Sequence, residues 1–399
     1  MLIDDNYDLL RLIRESEDSF NVDTLSNMVI DKFKEEILTK NDERLLKLVF
    51  SKNTTQQQLD DFLTQWDIEV VGAHKALMLS YFMKLHPDLN YPEYIQPRLK
   101  GLLDYYRFQN IKLISHFTKI CNELKKANIE ILIFKGGCMK HLRPAFSRIM
   151  GYIDILIPEK DYQKAGKIIQ KMGYDTHFDI HSIDIHPKNS QEGIMDIHKY
   201  IIMESENEKV IIKDIFKRAA KQKVFGIDIL VPCNEDLFFI SLVNMVRNLR
   251  NKTSYAGILY TLFDCTFLIE SKPDFNWDII IQNTNRTKAQ KQICFAIQFI
   301  NRIVPNLLPE KIKYDNFFSK RFNDYCILLA YQRFFLWEMK QKSHEMKILD
   351  IFKNKNNFEE YIKFKPKYFI LKSKFFRKNP QFARLAMKHI GVEHAKSKN

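Results

Sequence analysis

The chain has 399 residues, 45% of them apolar and 28% charged, the balance of a globular protein with length for a buried core and roughly two or three domains. Six scattered cysteines with no C-x-x-C pair argue against a disulfide framework or a zinc ribbon and favour a reducing cytoplasm. No apolar run reaches the roughly 18 residues of a membrane span, and the formal charge of +13 gathers near the C-terminus.

The opening residues are acidic and amphipathic, without the basic and apolar regions of a signal peptide. From residue 5 to about 127 apolar positions recur at helical spacing: Leu9, Leu10, Leu12 and Ile13, then Phe33 and Ile37, then Leu45, Leu46, Leu48 and Val49. Pro87, Pro92 and Pro97 mark a loop. A long helix is predicted from Pro97 to Ala127, its buried stripe running through Leu102, Tyr105, Tyr106, Ile111, Ile114, Phe117, Ile120 and Leu124.

The central block alternates strands and helices. Ile129–Phe134 is apolar on both faces, as in a covered central strand. Ile153, Ile155 and Ile157 alternate with Tyr152, Asp154 and Leu156, so one face enters the core and the other carries an acid. Pro158 opens a helix that Gly173 stops. Strands are predicted near Thr176–His181, Ile194–Ile197 and Gly226–Val231, giving an α+β fold with a mixed sheet. The tripeptide Ile-Asp-Ile occurs at 153–155, 183–185 and 227–229, a pattern read as edge-strand alternation.

After Pro232 the period returns to helical over Glu235–Leu249, Ile258–Ile269, Lys288–Ile303 and about Lys320–Glu338, with Trp277 anchoring a helix start. Four regions follow: an N-terminal helical region (1–108), an α/β core (109–232), a C-terminal helical domain (233–352) and a basic aromatic tail (353–399). In the tail Glu393 is the one acid from residue 361 onward, and Phe364, Tyr368, Phe369, Phe375, Phe376 and Phe382 interleave with the cations. Three readings stay open: aromatics docked on the protein body, weak contact with an anionic membrane or polyanion, or nucleic-acid binding. Pro366 and Pro380 prevent one continuous amphipathic helix.

The chemistry gathers in a few motifs. Lys135-Gly136-Gly137 follows the first strand, Arg148 precedes Met150-Gly151-Tyr152-Ile153-Asp154-Ile155-Leu156-Ile157, and Gly173-Tyr174, His177 and His181 lead to Met195-Asp196-Ile197-His198. In that order the motifs resemble the family of uncharacterised nucleotidyltransferases, within the DNA polymerase β-like superfamily. Its members carry Lys-Gly-Gly or Lys-Gly-Ala, then Arg-Pro-Met-Gly-Asp-Ile-Asp-Leu-Leu-Val, then an acid-x-His strand. The likeness covers roughly residues 20 to 310, most specifically 131 to 198, and Leu237 to Asp264 is similar to the family's helical continuation.

The resemblance implies transfer of a nucleoside monophosphate from a nucleoside triphosphate to a hydroxyl of a small molecule or a protein. Such sites hold Mg²⁺ or Mn²⁺ on carboxylates, with acids at i and i+2 of one strand and a third acid on its neighbour. It assigns the metal-binding, catalytic roles to Asp154 and Asp196. Gly136 and Gly137 would cradle the phosphates, Lys135 and Arg148 would offset their charge, and His198 would contact substrate or support Asp196.

The first acid of the family pattern is replaced by Tyr152, a phenol with pKa about 10 and a poor ligand for a hard cation. The site can then retain one metal, recruit another acid such as Asp184 or Glu192, or bind without turnover. The last alternative is a degenerate member of the fold acting as a binding or interaction protein in a biosynthetic or surface-polysaccharide pathway. The spacing of His177, His181, His186 and His198 matches no helical zinc motif, and neither a G-x-S-x-G elbow nor a G-x-x-x-x-G-K-[ST] loop occurs.

Overall fold

The computed structural model describes residues 22–329, apart from 68–71, 191–192, 202–205, 252–254, 327–328, 330 onward and the single positions 52, 147, 189, 306 and 314. The basic tail, the substitute acid Glu192 and the C-terminal part of the helix predicted over Lys320–Glu338 lie outside the described residues; helix is described over 316–326. The chain forms two compact units. The smaller comprises Met1–Ile37 with Glu310–Asn399, and its described part includes helix α1 (Val22–Ile37). There Asn323 donates to Asp23 Oδ1 at 2.9 Å, joining residues far apart in sequence.

The larger unit, Leu38–Pro309, holds the sheet. Helices α2 (Lys40–Phe50), α3 (Gln56–Leu63), α4 (Ala73–Leu85) and α5 (Ile95–Lys126) precede it. Reciprocal capping boxes begin α2 and α3: Thr39 with Asp42, and Thr55 with Gln58. The long helix α5 buries Leu99, Leu113, Phe117, Ile120 and Leu124. Tyr105 and Ile111, expected in that stripe, are 56% and 55% exposed. They sit off the arc set by Leu113 and Phe117, so a stripe as broad as the one predicted is not all covered.

The order continues β1 (Leu132–Phe134), α6 (Lys135–Leu142), β2 (Ile153–Leu156), a 3₁₀ turn (Glu159–Asp161), α7 (Tyr162–Lys171), β3 (Asp175–Phe178), β4 (Ser182–His186), β5 (Met195–His198), α8 (Glu206–Arg218), β6 (Ala220–Val224) and β7 (Ile227–Val231). Helices α9 (Asn234–Asn251), α10 (Tyr255–Glu270), α11 (Trp277–Arg286) and α12 (Gln290–Ile303) complete the unit, and the short α13 (Glu310–Lys313) belongs to the smaller one. The seven strands run in the order β3-β4-β5-β2-β1-β7-β6, with β2–β5 and β1–β7 parallel and the other pairs antiparallel. The mixed α+β sheet expected from the sequence is therefore the fold.

Three local readings change. The strand predicted over Thr176–His181 is a hairpin, β3 and β4, turning through Asp179, whose Oδ1 accepts from the Ile180 amide at 2.6 Å. Strand β6 was unforeseen because its sequence, Ala-Lys-Gln-Lys-Val, is polar, as suits a sheet edge guarded against further pairing. Gly226 belongs to the tight β6–β7 turn: Phe225 and Gly226 both have positive φ, 48° and 88°, the handedness that matches strand twist. The Ile-Asp-Ile segments lie on β2, β4 and β7, all interior to the sheet, so they are not edge patterning.

One buried carboxylate ties several helices together. Arg218 of α8 grips Asp236 of α9 through two bonds of 2.9 and 2.7 Å, and Asn283 of α11 donates to the same carboxylate at 3.2 Å. That knot fixes three helices against one another.

Candidate functional site

Strand register builds the site. Asp154 of β2 lies opposite Asp196 of β5, and Asp196 lies opposite Asp184 of β4. Cross-strand neighbours stand about 5 Å apart with side chains on the same face, so three carboxylates form one row across the sheet. His177 of β3 continues the row beyond Asp184. On the other side, Phe134 of β1 is opposite Asp154, and the chain leaves β1 directly into α6 through Lys135.

Lys135 adopts φ 50°, a left-handed conformation that costs a non-glycine residue about 1 kcal/mol or more. The ammonium is set on Asp154 Oδ1 at 2.6 Å. His198 Nε2 lies 2.9 Å from the same oxygen. A carboxylate only accepts, so Nε2 carries the proton, leaving Nδ1 as a buried lone pair with no hydrogen-bond partner. Support from His198 thus goes to Asp154, not to Asp196 as expected from sequence, because the ring leans across the parallel β2–β5 pair toward the buried acid.

The electrostatics follow from these contacts. Burial acts to raise Asp154, but the Lys135 charge and the His198 hydrogen bond outweigh it and hold the carboxyl below its ordinary value. Among the described residues no lysine or histidine donates to Asp196; burial and the charges of Asp154 and Asp184 push it up to about 7. Burial and the Lys135 charge lower His198 to about 4, so its ring is neutral at neutral pH. Tyr152, two residues before Asp154 on the same side of the chain, is 46% exposed and close enough to feel the charges of Asp154, Asp196 and Asp184. The charges of Asp154, then burial, raise its phenol above the usual value, so it stays protonated.

The glycines of α6 do different things. A Cβ on Gly137 would meet Ile153 Cγ2 at 2.7 Å, so this residue lets the helix close on β2. At Gly136 the nearest atoms to such a Cβ belong to the Arg148 guanidinium at 3.8 Å, an ordinary contact. Arg148 itself is buried and bound to Asp264 of α10, Nη1 lying 3.0 and 2.8 Å from the two carboxylate oxygens. Its guanidinium also lies over Tyr260 at 4.6 Å, and its Nε is buried with no partner.

Sequence reasoning had no means of finding two further residues. Asp264 is 116 positions from Arg148, and the pairing shows only in space. Arg247 of α9 is exposed and acts electrostatically on both Tyr152 and His181, which places a cation at the mouth of the site. Of the other histidines, His181 pairs with Asp179 at 3.3 Å and its ring lies tilted to that of His198, 5.8 Å between centroids, while His186 keeps a buried Nδ1 without a partner.

One donor atom from each of Asp154, Asp196 and His198 lies within 4.8 Å of the others. Two carboxylates and a neutral imidazole suit a divalent cation, and the orphaned Nδ1 of His198 shows that the polar capacity of the site exceeds what the protein satisfies. The donor set therefore fits the metal that such folds employ.

A mixed sheet with an acid row beside a Lys-Gly-Gly helix start defines a nucleotidyltransferase-type arrangement. The chain belongs to the family of uncharacterised nucleotidyltransferases, whose model matches residues 73–305, more than half of the 399. That span runs from the start of α4 past the end of α12 and includes every candidate site residue. Among solved structures, the antibiotic-resistance factor ANT(2'')-Ia is similar over 44% of this chain and 91% of its own, at 10% identity and a TM-score of 0.33. A likeness that distant carries no argument about the site. No curated protein sequence matches the chain.

Proposed function

We propose that this protein transfers a nucleoside monophosphate from a nucleoside triphosphate to a hydroxyl of a small molecule or a protein, with Mg²⁺ or Mn²⁺ at the acid row. The observation that carries this reading is the convergence of Asp154, Asp196 and His198 within 4.8 Å, beside the first turn of α6. The acceptor oxygen would bond to the α-phosphorus in line, the bond to the bridging oxygen would break, and pyrophosphate would leave. The hydroxyl proton would pass to water or to a carboxylate of the row. A divalent cation held there offsets phosphate charge and activates the attacking hydroxyl.

The chain's own residues prepare the ground. Asp154 is kept ionised by Lys135 and His198, and Asp196 offers the second carboxylate. The amides of Gly136 and Gly137, in the first helical turn, have no partner within the helix and suit phosphate oxygens. Lys135 and the exposed Arg247 supply positive charge toward the cleft. Arg148, engaged with Asp264, acts by shaping the wall against Gly136 and lends its charge from behind.

A second reading, a degenerate member of the fold that binds ligand without turnover, is favoured by one observation. Lys135 already neutralises the acid whose partner in the motif has become Tyr152. The test is transfer of label from nucleoside triphosphates to small-molecule and protein acceptors. Label carried from the α-phosphate, and lost in Asp196→Asn, supports the proposal. Label carried only from the γ-phosphate overturns it, and bound nucleotide without transfer selects the second reading.

A further inference from the structure

We propose that the loop 143–146 carries an anion seat, separate from the acid row, in which Lys84, Arg107 and Lys140 bind the phosphate of a small phosphorylated molecule. The inference is independent of nucleotide transfer and concerns a second ligand, held at the far end of α6.

Three helices deliver cations to one short loop. Lys84, near the end of α4, donates to the Ala145 carbonyl at 3.1 Å. Lys140 of α6 donates to the carbonyls of Pro144 at 2.9 Å and Phe146 at 3.3 Å. Three successive carbonyls thus draw two ammonium groups together. Helix α5 lies alongside, since its Asn110 donates to the Arg148 carbonyl at 2.9 Å. Arg107, about one turn earlier on that helix, is exposed. Burial, then the charges of Lys84 and Arg107, lower the Lys140 ammonium below its ordinary value.

Among the described residues, Lys84, Arg107, Lys140 and Arg143 form no ion pair with a carboxylate. Inside the fold the imbalance continues. The Arg143 guanidinium is buried over the rings of Tyr81, Phe146 and Phe267, at 4.6, 5.1 and 4.5 Å. Its Nη1 donates to the Phe263 carbonyl at 3.4 Å. Asp264, whose carboxyl feels the Arg143 charge, is already bound by Arg148. In these contacts the cations Lys84, Arg107, Lys140, Arg143 and Arg148 are matched by a single acid, Asp264.

A phosphate monoester brings what the cluster lacks, a double negative charge on three accepting oxygens. The two ammonium groups keep N–H bonds beyond those given to carbonyls, and the planar fork of Arg107 suits two oxygens at once. Lys84 and Arg107 are exposed and Lys140 is half-buried, so the seat opens to solvent. Its compactness favours one dianion over a nucleic-acid backbone, whose charges are strung out and call for a stripe of cations. An eight-residue helix rises about 12 Å, which sets this seat apart from the Gly136-Gly137 amides at the other end of α6.

The test compares thermal melts of the full chain in inorganic phosphate, glucose 1-phosphate and glucose, against chloride at equal ionic strength and pH. Wild type should melt several degrees higher with either phosphate and no higher with glucose. Arg107→Gln and Lys84→Gln should each remove about half or more of that shift. Arg107 caps no carbonyl, so its variant carries the comparison if Lys84→Gln folds poorly. Lys119→Gln, about 18 Å further along α5, should keep the shift. A shift that survives in both cluster variants would place the anion elsewhere and overturn the inference. So would no shift in wild type, or an equal loss in Lys119→Gln. Stabilisation by a single-stranded oligonucleotide through the same residues, with none from glucose 1-phosphate, would overturn it in favour of nucleic acid.

Discussion

At the scale of single residues, the site stands on one ammonium held against one carboxylate. Lys135 accepts a left-handed φ of 50° to reach Asp154, both side chains being largely buried. Lys135→Met should cost about 3–5 kcal/mol in chemical denaturation, because removing one partner leaves the other charge buried and unpaired. An effect below about 1 kcal/mol would show the pair to be solvated. Asp196 and His198 make opposite predictions for pH. Asp196 has a folded value of about 7 against 3.8 unfolded, so the folded state holds the extra proton and stability falls as pH rises between these values. His198, lowered to about 4 from 6.5, costs stability as pH falls through that interval. In metal-free buffer the melting temperature of Asp196→Asn relative to wild type should climb from acid to neutral pH. That of His198→Gln should climb toward acid. Parallel curves for both variants would contradict the assigned environments.

At the scale of elements, the connection from α6 to β2 positions the acid row, and helices brought in from elsewhere fix it. Asn110 of α5 donates to the Arg148 carbonyl at 2.9 Å, the Ile149 amide donates to Tyr260 at 3.0 Å, and Asp264 holds the Arg148 side chain. Asp264→Ala should therefore lower stability by about 3–5 kcal/mol, with much of the loss recovered when Arg148 is replaced by methionine in the same chain. Failure of the double variant to recover would mean the pair is not the cause. Gly137→Ala should cost about 1–3 kcal/mol, since its Cβ would lie 2.7 Å from Ile153, while Gly136→Ala, in ordinary contact at 3.8 Å, should be tolerated. Equal costs would argue against the packing described. These elements were unevenly legible in the sequence. The alternation around Asp154 and the run into Gly136-Gly137 are local and could be read, because strand period and glycine position suffice. The β3–β4 hairpin could not, since Asp175–His186 carries no glycine or proline at its turn, and so the register that aligns Asp184 with Asp196 stayed hidden.

At the scale of the whole molecule, the order of motifs gave the fold and left the charge balance to be seen in space. Family membership over residues 73–305 covers the sheet and the helices on either side of it in sequence. No helix among the described residues is long and apolar enough to cross a membrane. Arg148 read as a phosphate ligand by motif position; its partner Asp264, on a helix beyond the sheet, was out of reach of any local pattern, as was Arg247. Tyr152 read as a loss from the motif, and three strands had to be aligned before the row of Asp154, Asp196 and Asp184 was visible. The central claim is that this acid row still binds nucleotide. Calorimetric titration of a non-hydrolysable ATP analogue, with UTP and CTP counterparts, in the presence of Mg²⁺ tests it most directly. Metal-dependent binding by wild type that Asp154→Asn abolishes is the predicted result. No binding by wild type to any of the three nucleotides, with binding restored in Tyr152→Asp, would contradict it.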